Sequence, residues 1–310
     1  VDPVEYVTLG WRDPAYPFEK NEPHPLRKTV EGKWRIVNCL SLVDQVVERV
    51  FFNDCLLPIK RAYPESSAVI GIGFSDDHLK LFGDQVMKDM DPSRSSSEDV
   101  SGWERSLTEN LIMETASYCV HDTVLTNRTV CTKLVRATNR MAKMMTNPMF
   151  VISSKNGQYL ECVLRCKPGG MLSGSFLTTL FNTISRLILA YQCGATDAKA
   201  AGDDSLTQSD MSLEEKRLRY LDRGFVLRDL EPFKENGFNF CSHDFRRKES
   251  GRWEASLSSW PKAFYNALTR ELTSERVSNF IDETRHNSNT KELLSILMKY
   301  GHHPKDRSGL

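Results

Sequence analysis

The feature that most restricts this chain is Gly202-Asp203-Asp204, set between the short runs Ala198-Lys199-Ala200-Ala201 and Ser205-Leu206-Thr207-Gln208. Two strand-like runs around Gly202-Asp203 predict an antiparallel hairpin, because glycine readily takes the positive φ of a tight hairpin turn. Such a turn presents adjacent carboxylates to a divalent cation. A hard ion such as Mg²⁺ takes oxygen ligands and keeps several waters, so a few carboxylates plus substrate phosphates suffice. By average composition about one chain of this length in fifteen holds the tripeptide by chance, and the plainer interpretation is a polar β-turn. The hairpin alone therefore decides little.

A second pattern narrows the choice. Ser173-Gly174 is followed by Thr178 and Asn182, four fixed positions that chance supplies in about one such chain in several hundred. Pro168-Gly169-Gly170 and Gly174 read as a glycine-rich loop over 167–174, with a helix expected over 175–192. Thr178 and Asn182 stand at i and i+4, on one face of that helix. A capped helix after a flexible loop explains the glycines but not the polar pair. The third element is Asp99, in Asp99-Val100-Ser101-Gly102-Trp103-Glu104. By itself it reads as a helix N-cap. Upstream of the other two elements, it makes three carboxylates from two segments, enough to gather two metal ions. Such a pair activates a 3′-hydroxyl and stabilises a leaving pyrophosphate in an in-line phosphoryl transfer.

The remaining sequence sets limits. The 310 residues are 40% apolar and 26% charged, an ordinary balance for a globular protein of more than one domain. Basic and acidic residues number 41 each, which weighs against a dedicated nucleic-acid-binding domain but not against a polymerase, whose channel is basic and whose centre is acidic. No apolar run approaches the ~20 residues of a membrane span, and no secretory signal opens the chain. The eight cysteines are scattered. Only Cys162 and Cys166 lie close together, so free thiols in a reducing compartment are expected, and the Asn127-Arg128-Thr129 sequon reads as chance. The chain begins without Met and reads as a fragment.

Periodicity predicts a helix over 41–57, capped by Ser41 with Asp44 at the capping-box position and an apolar face of Leu42, Val43, Val46, Val47, Val50 and Phe51. It predicts a loop over 91–98, a helical stretch over 107–119, strands over 151–166 around an Asn156-Gly157 turn, and a final helix stopped by Gly301.

The order Asp99, then Ser173 to Asn182, then Gly202-Asp203-Asp204 resembles motifs A, B and C of viral RNA-dependent RNA polymerases. Further blocks resemble the fingers segment of the sobemovirus and polerovirus enzymes: Glu22-Pro23-His24, Lys33-Trp34-Arg35-Ile36-Val37 and Ser41 to Arg49. Gly71-Ile72-Gly73-Phe74-Ser75 and Phe240-Cys241-Ser242-His243 fit the same group. The resemblance implies an α+β right-hand polymerase with an antiparallel-sheet palm, partial fingers and a partial helical thumb. Its divisions would be a fingers segment over 1–60, palm over 61–125, a fingers insertion over 126–165, palm over 166–250 and the start of the thumb over 251–310.

The same resemblance implies the roles. Asp99 and Asp203 would hold Mg²⁺ (with Mn²⁺ as an alternative) and Asp204 would assist. Ser173, Gly174, Thr178 and Asn182 would contact the nucleotide, Asn182 sensing the ribose 2′-hydroxyl. Lys20, Lys28, Lys33 and Arg35 would line the path of the nucleoside triphosphate. The implied partners are template and nascent RNA, nucleoside triphosphates and other viral replication proteins. The implied location is host cytoplasm, in membrane-associated replication complexes reached through partners or other segments. The chain departs from the pattern at Glu104, where the family usually carries aspartate; contact with Asn182 and the ribose is still expected. For the motif D general acid Lys234 and Arg228 compete, although a guanidinium offers only charge. His24 and His243 read as structural. A reverse transcriptase is disfavoured by Ala201-Gly202 before the aspartates and by Asn182 in place of a bulky gate. An inactive RNA-binding scaffold is disfavoured by the presence of all three aspartates.

Overall fold

A computed structural model describes residues 2–20, 22–23, 26–32, 34–127, 132–153, 160–165, 168–269 and 273–301, with 27, 28, 122–127, 132–134, 153 and 160–165 described by backbone alone. His24, Lys33, the Asn156-Gly157 turn, Arg128-Thr129 of the sequon, Cys166 and the side chains of Lys28 and Cys162 lie outside what is described.

In chain order the elements begin with α1 (Pro3–Thr8), β1 (Tyr16–Glu19), α2 (Leu26–Val30), β2 (Ile36–Cys39), α3 (Leu42–Arg61), α4 (Asp76–Asp89) and β3 (Ser95–Val100). There follow α5 (Trp103–Ser106), α6 (Glu109–Asn127), α7 (Thr132–Met145), β4 (Met149–Ser153), β5 (Leu160–Arg165), α8 (Thr178–Gln192), β6 (Asp197–Ala201) and β7 (Asp204–Gln208). The last are α9 (Leu213–Asp222), β8 (Leu227–Pro232), β9 (Gly237–Phe240), β10 (His243–Arg247), β11 (Trp253–Leu257), α10 (Trp260–Thr269), α11 (Ser274–Thr284) and α12 (Thr290–Lys299). The chain forms two compact units, one of 1–20, 35–71 and 98–230, the other of 21–34, 72–97 and 231–310.

Most of the four-stranded sheet β6-β7-β3-β8 belongs to the first unit; its two strands at one side, β6 and β7, are an antiparallel hairpin with Ala201 opposite Asp204. Beyond β6, Ala68 bridges Ala200 and extends the backbone pairing. The apolar face of α8 (Leu180, Phe181, Ile184, Leu187) joins Phe52, Trp103, Ile112 and Ala200 in the main core. In the second unit the sheet β11-β10-β9 packs Phe238 and Phe245 against Phe82 of α4, with Trp253 against Phe238. Gly83 is required there, because a Cβ would lie 2.4 Å from the Trp253 ring. Helices α10 to α12 form a separate small core around Val277, Phe280 and Leu297. Gly301, at φ +80°, follows the α12 cap residue Tyr300, as expected of a C′ glycine.

Two expectations need correction. Helix α3 exists and Ser41 caps it through Asp44 N–H (3.1 Å), but its apolar residues are largely not the buried ones. Leu42, Val43, Val46 and Val50 are exposed, whereas Asp44, Val47, Glu48, Phe51, Phe52, Cys55 and Leu56 are buried. The polar members of that buried face are hydrogen-bonded: Asp44 accepts from Tyr6 Oη and Asp13 N–H, and Glu48 from Ser175 and Phe176. Polarity alone therefore misassigned the face. Likewise 91–98 is not a loop. A short 3₁₀ turn (Pro92–Arg94) leads into β3, and Ser95, Ser96 and Glu98 are buried. A charged, serine-rich run can be an interior strand because buried cations neutralise Glu98. Asp99 thus sits in a strand and does not cap a helix.

Candidate active site

The carboxylates come from β3 and from the turn into β7, its neighbour in the sheet. Gly202 takes φ +66° in the two-residue turn between β6 and β7, and its N–H donates to Thr183 Oγ1 at 2.8 Å. Thr183 in turn donates to Thr179 O (2.7 Å), so the turn is moored to α8. Strand β3 lies next to β7 and carries Asp99. On its other side is β8, where the Arg228 guanidinium forms an ion pair with the Asp99 carboxylate.

Charge is concentrated around the turn. Burial, and then the Asp203 charge, push the Asp204 carboxyl up to about 6, while Arg186 pulls it down. Glu104, at the start of α5, is raised by burial and by Asp203 and lowered by Arg35, Arg105 and a hydrogen bond from Asn182. Glu104, Asn182, Asp203 and Arg35 therefore share one electrostatic neighbourhood. Asn182 is buried, its Oδ1 without a hydrogen-bond partner among the described residues.

The loop before α8 is pinned at several points. Ser173 Oγ donates to Ile36 O (3.3 Å), and Ser175 Oγ and Phe176 N–H donate to Glu48 Oε2 (2.7 and 3.0 Å). Thr178 Oγ1 donates to Leu172 O (2.9 Å) and Ser175 O (2.8 Å), closing the loop on itself. At Gly174 a Cβ would lie 1.7 Å from Asn38 O, so glycine serves close approach to β2 there. The helix begins at Thr178, three residues later than expected; in the turn before it Ser175 Oγ accepts from Leu177 N–H (3.0 Å).

The basic candidates separate. Lys20 N–H donates to Arg35 O (2.8 Å), so these two stand together in the first unit. The Lys28 backbone lies on α2 in the second unit. Lys234 also belongs to the second unit, its Nζ 3.3 Å from Asp244; Arg228 is the cation found on Asp99. His243 stacks on Phe74 (centroids 4.0 Å apart), with Nδ1 2.7 Å from Cys241 O, a structural setting. Sequence reasoning assigned no role to Thr183, Glu48, Arg186 or Glu98. Thr183 adjoins Asn182, and Glu48 lies in the Ser41 to Arg49 block, but nothing in the pattern indicated their partners.

The donor set suits a hard divalent cation, since every candidate ligand is a carboxylate oxygen. Among the described residues no three acidic, His or Cys side chains enclose a metal site by themselves. Mg²⁺ commonly uses one or two carboxylates and completes its shell with water and substrate phosphates.

An antiparallel hairpin bearing paired aspartates, beside a strand bearing a third and against a helix with a buried asparagine, is the architecture of a polymerase palm. Residues 15–259 match the viral RNA-dependent RNA polymerase family, and the chain belongs to it. It is 29% identical over 282 residues to the replicase polyprotein P2AB of Southern cowpea mosaic virus, covering 87% of this chain and 27% of that protein. It is 32% identical over 260 residues to protein P1-P2 of Potato leafroll virus, covering 78% of this chain and 22% of that protein. The chain thus spans about a quarter of the length of these relatives. In fold it is similar to the crystal structure of the RNA-dependent RNA polymerase of a human picorbirnavirus, with a TM-score of 0.71, 14% identity, and coverage of 93% of this chain and 56% of that one. Among the described residues no helix is long and apolar enough to cross a membrane.

Proposed function

We propose that this chain carries the catalytic centre for template-directed RNA synthesis in the replication of a plus-strand RNA virus, through two-metal nucleotidyl transfer. The observation that carries this reading is the placement of Asp99 on β3 and of Asp203-Asp204 at the turn into the neighbouring β7, with Asn182 and Glu104 beside Asp203. Asp99 and Asp203 would hold Mg²⁺, with Asp204 assisting, and when bound it would supply activation of the 3′-hydroxyl and charge neutralisation for the leaving pyrophosphate. Repulsion among Asp203, Asp204 and Glu104 favours a cation at this place.

The buried Asn182 amide, held by Glu104, reads the sugar. A lone acceptor such as Oδ1 is satisfied by a ribose 2′-hydroxyl and left bare by a deoxyribose. Lys20, Lys28, Lys33 and Arg35 attract the triphosphate, and Ser173, Gly174 and Thr178 shape the loop against which the nucleotide lies. Arg228 supplies charge at Asp99; Lys234 is the proton donor to pyrophosphate, since an arginine does not give up its proton. Template RNA, nascent RNA and other replication proteins are the partners, in the host cytoplasm. Primer extension on an RNA template tests this, with four nucleotides and with Mg²⁺ against EDTA. Metal-dependent, template-directed extension is expected, and its absence from a folded chain would refute the reading.

A further inference from the structure

Directly beneath the candidate site lies a buried charge cluster that takes no part in the chemistry described above. Glu98 is fully buried, one residue before Asp99. Its Oε2 accepts from Arg186 Nη2 at 2.7 Å and from Tyr220 Oη at 2.8 Å. Its Oε1 accepts from Thr207 Oγ1 and lies 3.0 Å from Lys216 Nζ. The partners also bond one another, Arg186 Nη1 to Tyr220 Oη (2.8 Å) and Lys216 Nζ to Thr207 Oγ1 (2.8 Å). Burial opposes the Glu98 charge, but Arg186 and Lys216 prevail and hold its carboxyl below the ordinary range.

We propose that Glu98, clasped by Arg186, Lys216, Tyr220 and Thr207, is a positioning residue that sets where Asp99 stands relative to the Asp203-Asp204 hairpin. The inference rests on the reading that these aspartates hold the metal. Successive residues of a strand point to opposite faces, so fixing Glu98 on the helix-covered face fixes Asp99 on the other. The clasp also draws on two further elements that build the site. Arg186 is on α8, the helix that carries Asn182 and moors Gly202 through Thr183. Thr207 is on β7, the strand that opens with Asp204. Lys216 and Tyr220 come from α9.

Stability alone does not account for this cluster. Apolar side chains of similar volume commonly replace buried ion pairs at no loss of stability. What they do not replace is direction: three hydrogen bonds and an ion pair to one carboxylate admit one register of β3 against α8 and β7, whereas an apolar patch tolerates sliding. The cluster also carries one cation more than it carries anions. The surplus is near the site, since the Arg186 charge reaches Asp204.

The test is direct Mn²⁺ binding by the chain, read from the electron paramagnetic resonance of free Mn²⁺, with melting temperature and primer-extension kinetics alongside. Asp203→Asn defines site-specific binding. Groups behind metal ligands typically tune affinity by tenfold or more, so Glu98→Gln should weaken site-specific binding about tenfold and lower kcat, with the nucleotide KM within about twofold. Tyr220→Phe keeps the ring and both cations and removes only its hydroxyl bonds. It should fold like the parent and weaken binding about threefold, a fraction of the effect expected on removing a whole partner. Glu98→Leu with Arg186→Met and Lys216→Met should recover the melting temperature but not the affinity.

Parent-like Mn²⁺ binding in Tyr220→Phe and in the apolar triple variant would reduce the cluster to a fold element and overturn the proposal. Parent-like binding in Asp203→Asn would instead remove the metal-site reading on which the proposal stands, so the two failures are distinguishable.

Discussion

Gly174→Ala is the substitution whose cost the structure defines most sharply. An ideal Cβ at this position lies 1.7 Å from Asn38 O and 2.8 Å from Asn38 C. Ordinary nonbonded contact begins near 3.5 Å, so the loop and β2 must part by nearly 2 Å. Neither side yields easily. Asn38 is paired with Pro17 in the β1–β2 ribbon, and Gly174 sits between Ser173, bonded to Ile36 O, and Ser175, bonded to buried Glu48. Overpacking of this kind costs about 1–3 kcal/mol. Loosening the bonds to the Glu48 carboxylate adds about 1.5–3 kcal/mol. The sum, on the order of 4 kcal/mol, corresponds to a fall in Tm of about 6 °C for a chain of this size. Because Thr178 bonds back to Leu172 and Ser175, the displacement is passed to α8 and so to Asn182, and ribonucleotide incorporation should fall more than tenfold at temperatures where the variant remains folded. Gly251→Ala is the matched control: φ is +81° there and a Cβ meets nothing within 4 Å, so only backbone strain of about 1–2 kcal/mol applies. Thermal unfolding and single-nucleotide incorporation check both. A Gly174→Ala variant within about 1 kcal/mol of the parent, incorporating at a parent-like rate, would show that close approach to β2 is not what requires glycine.

Asp203→Asn should leave melting near the parent value and abolish primer extension; retained extension above a few per cent would move the metal elsewhere. Asn182→Ala should lower kcat/KM for GTP more than for dGTP, and a ratio within about twofold of the parent would remove its sugar-reading role. Arg35→Ala should raise the nucleotide KM more than it weakens RNA binding in a filter assay, and the reverse pattern would assign Arg35 to the template path. Glu104→Gln tests the sign of a pKa shift in EDTA. A carboxyl raised above its unfolded value binds more protons when folded, so stability is lost as pH rises from the unfolded pKa towards the folded one. The variant should therefore be more stable than the parent at pH 8 and lose that advantage below pH 4, and a difference independent of pH would contradict the burial and Asp203 repulsion assigned to Glu104.

Sequence by itself determined the local pieces of this protein. The Gly202 turn, the helix bearing Thr178 and Asn182, the final helix stopped at Gly301 and the order of the three aspartate-bearing segments all follow from residues close together in the chain, where period, turn chemistry and spacing act directly. The family was legible for the same reason, since its motifs are short. Tertiary structure decided which polar residues are interior. Ser95 to Glu98 reads as a loop because charge and serine are normally solvated, yet Arg186, Lys216 and Tyr220, distant in sequence, neutralise and bond Glu98 and make the run a buried strand. The same holds for α3, where the face bearing Asp44 and Glu48 is buried because Tyr6, Asp13 and Ser175 arrive to bond it, leaving Leu42, Val43, Val46 and Val50 outside. Desolvation penalises a charge according to what surrounds it. That surrounding comes from residues far along the chain, so only the folded structure identifies the carboxylates that are paired and buried.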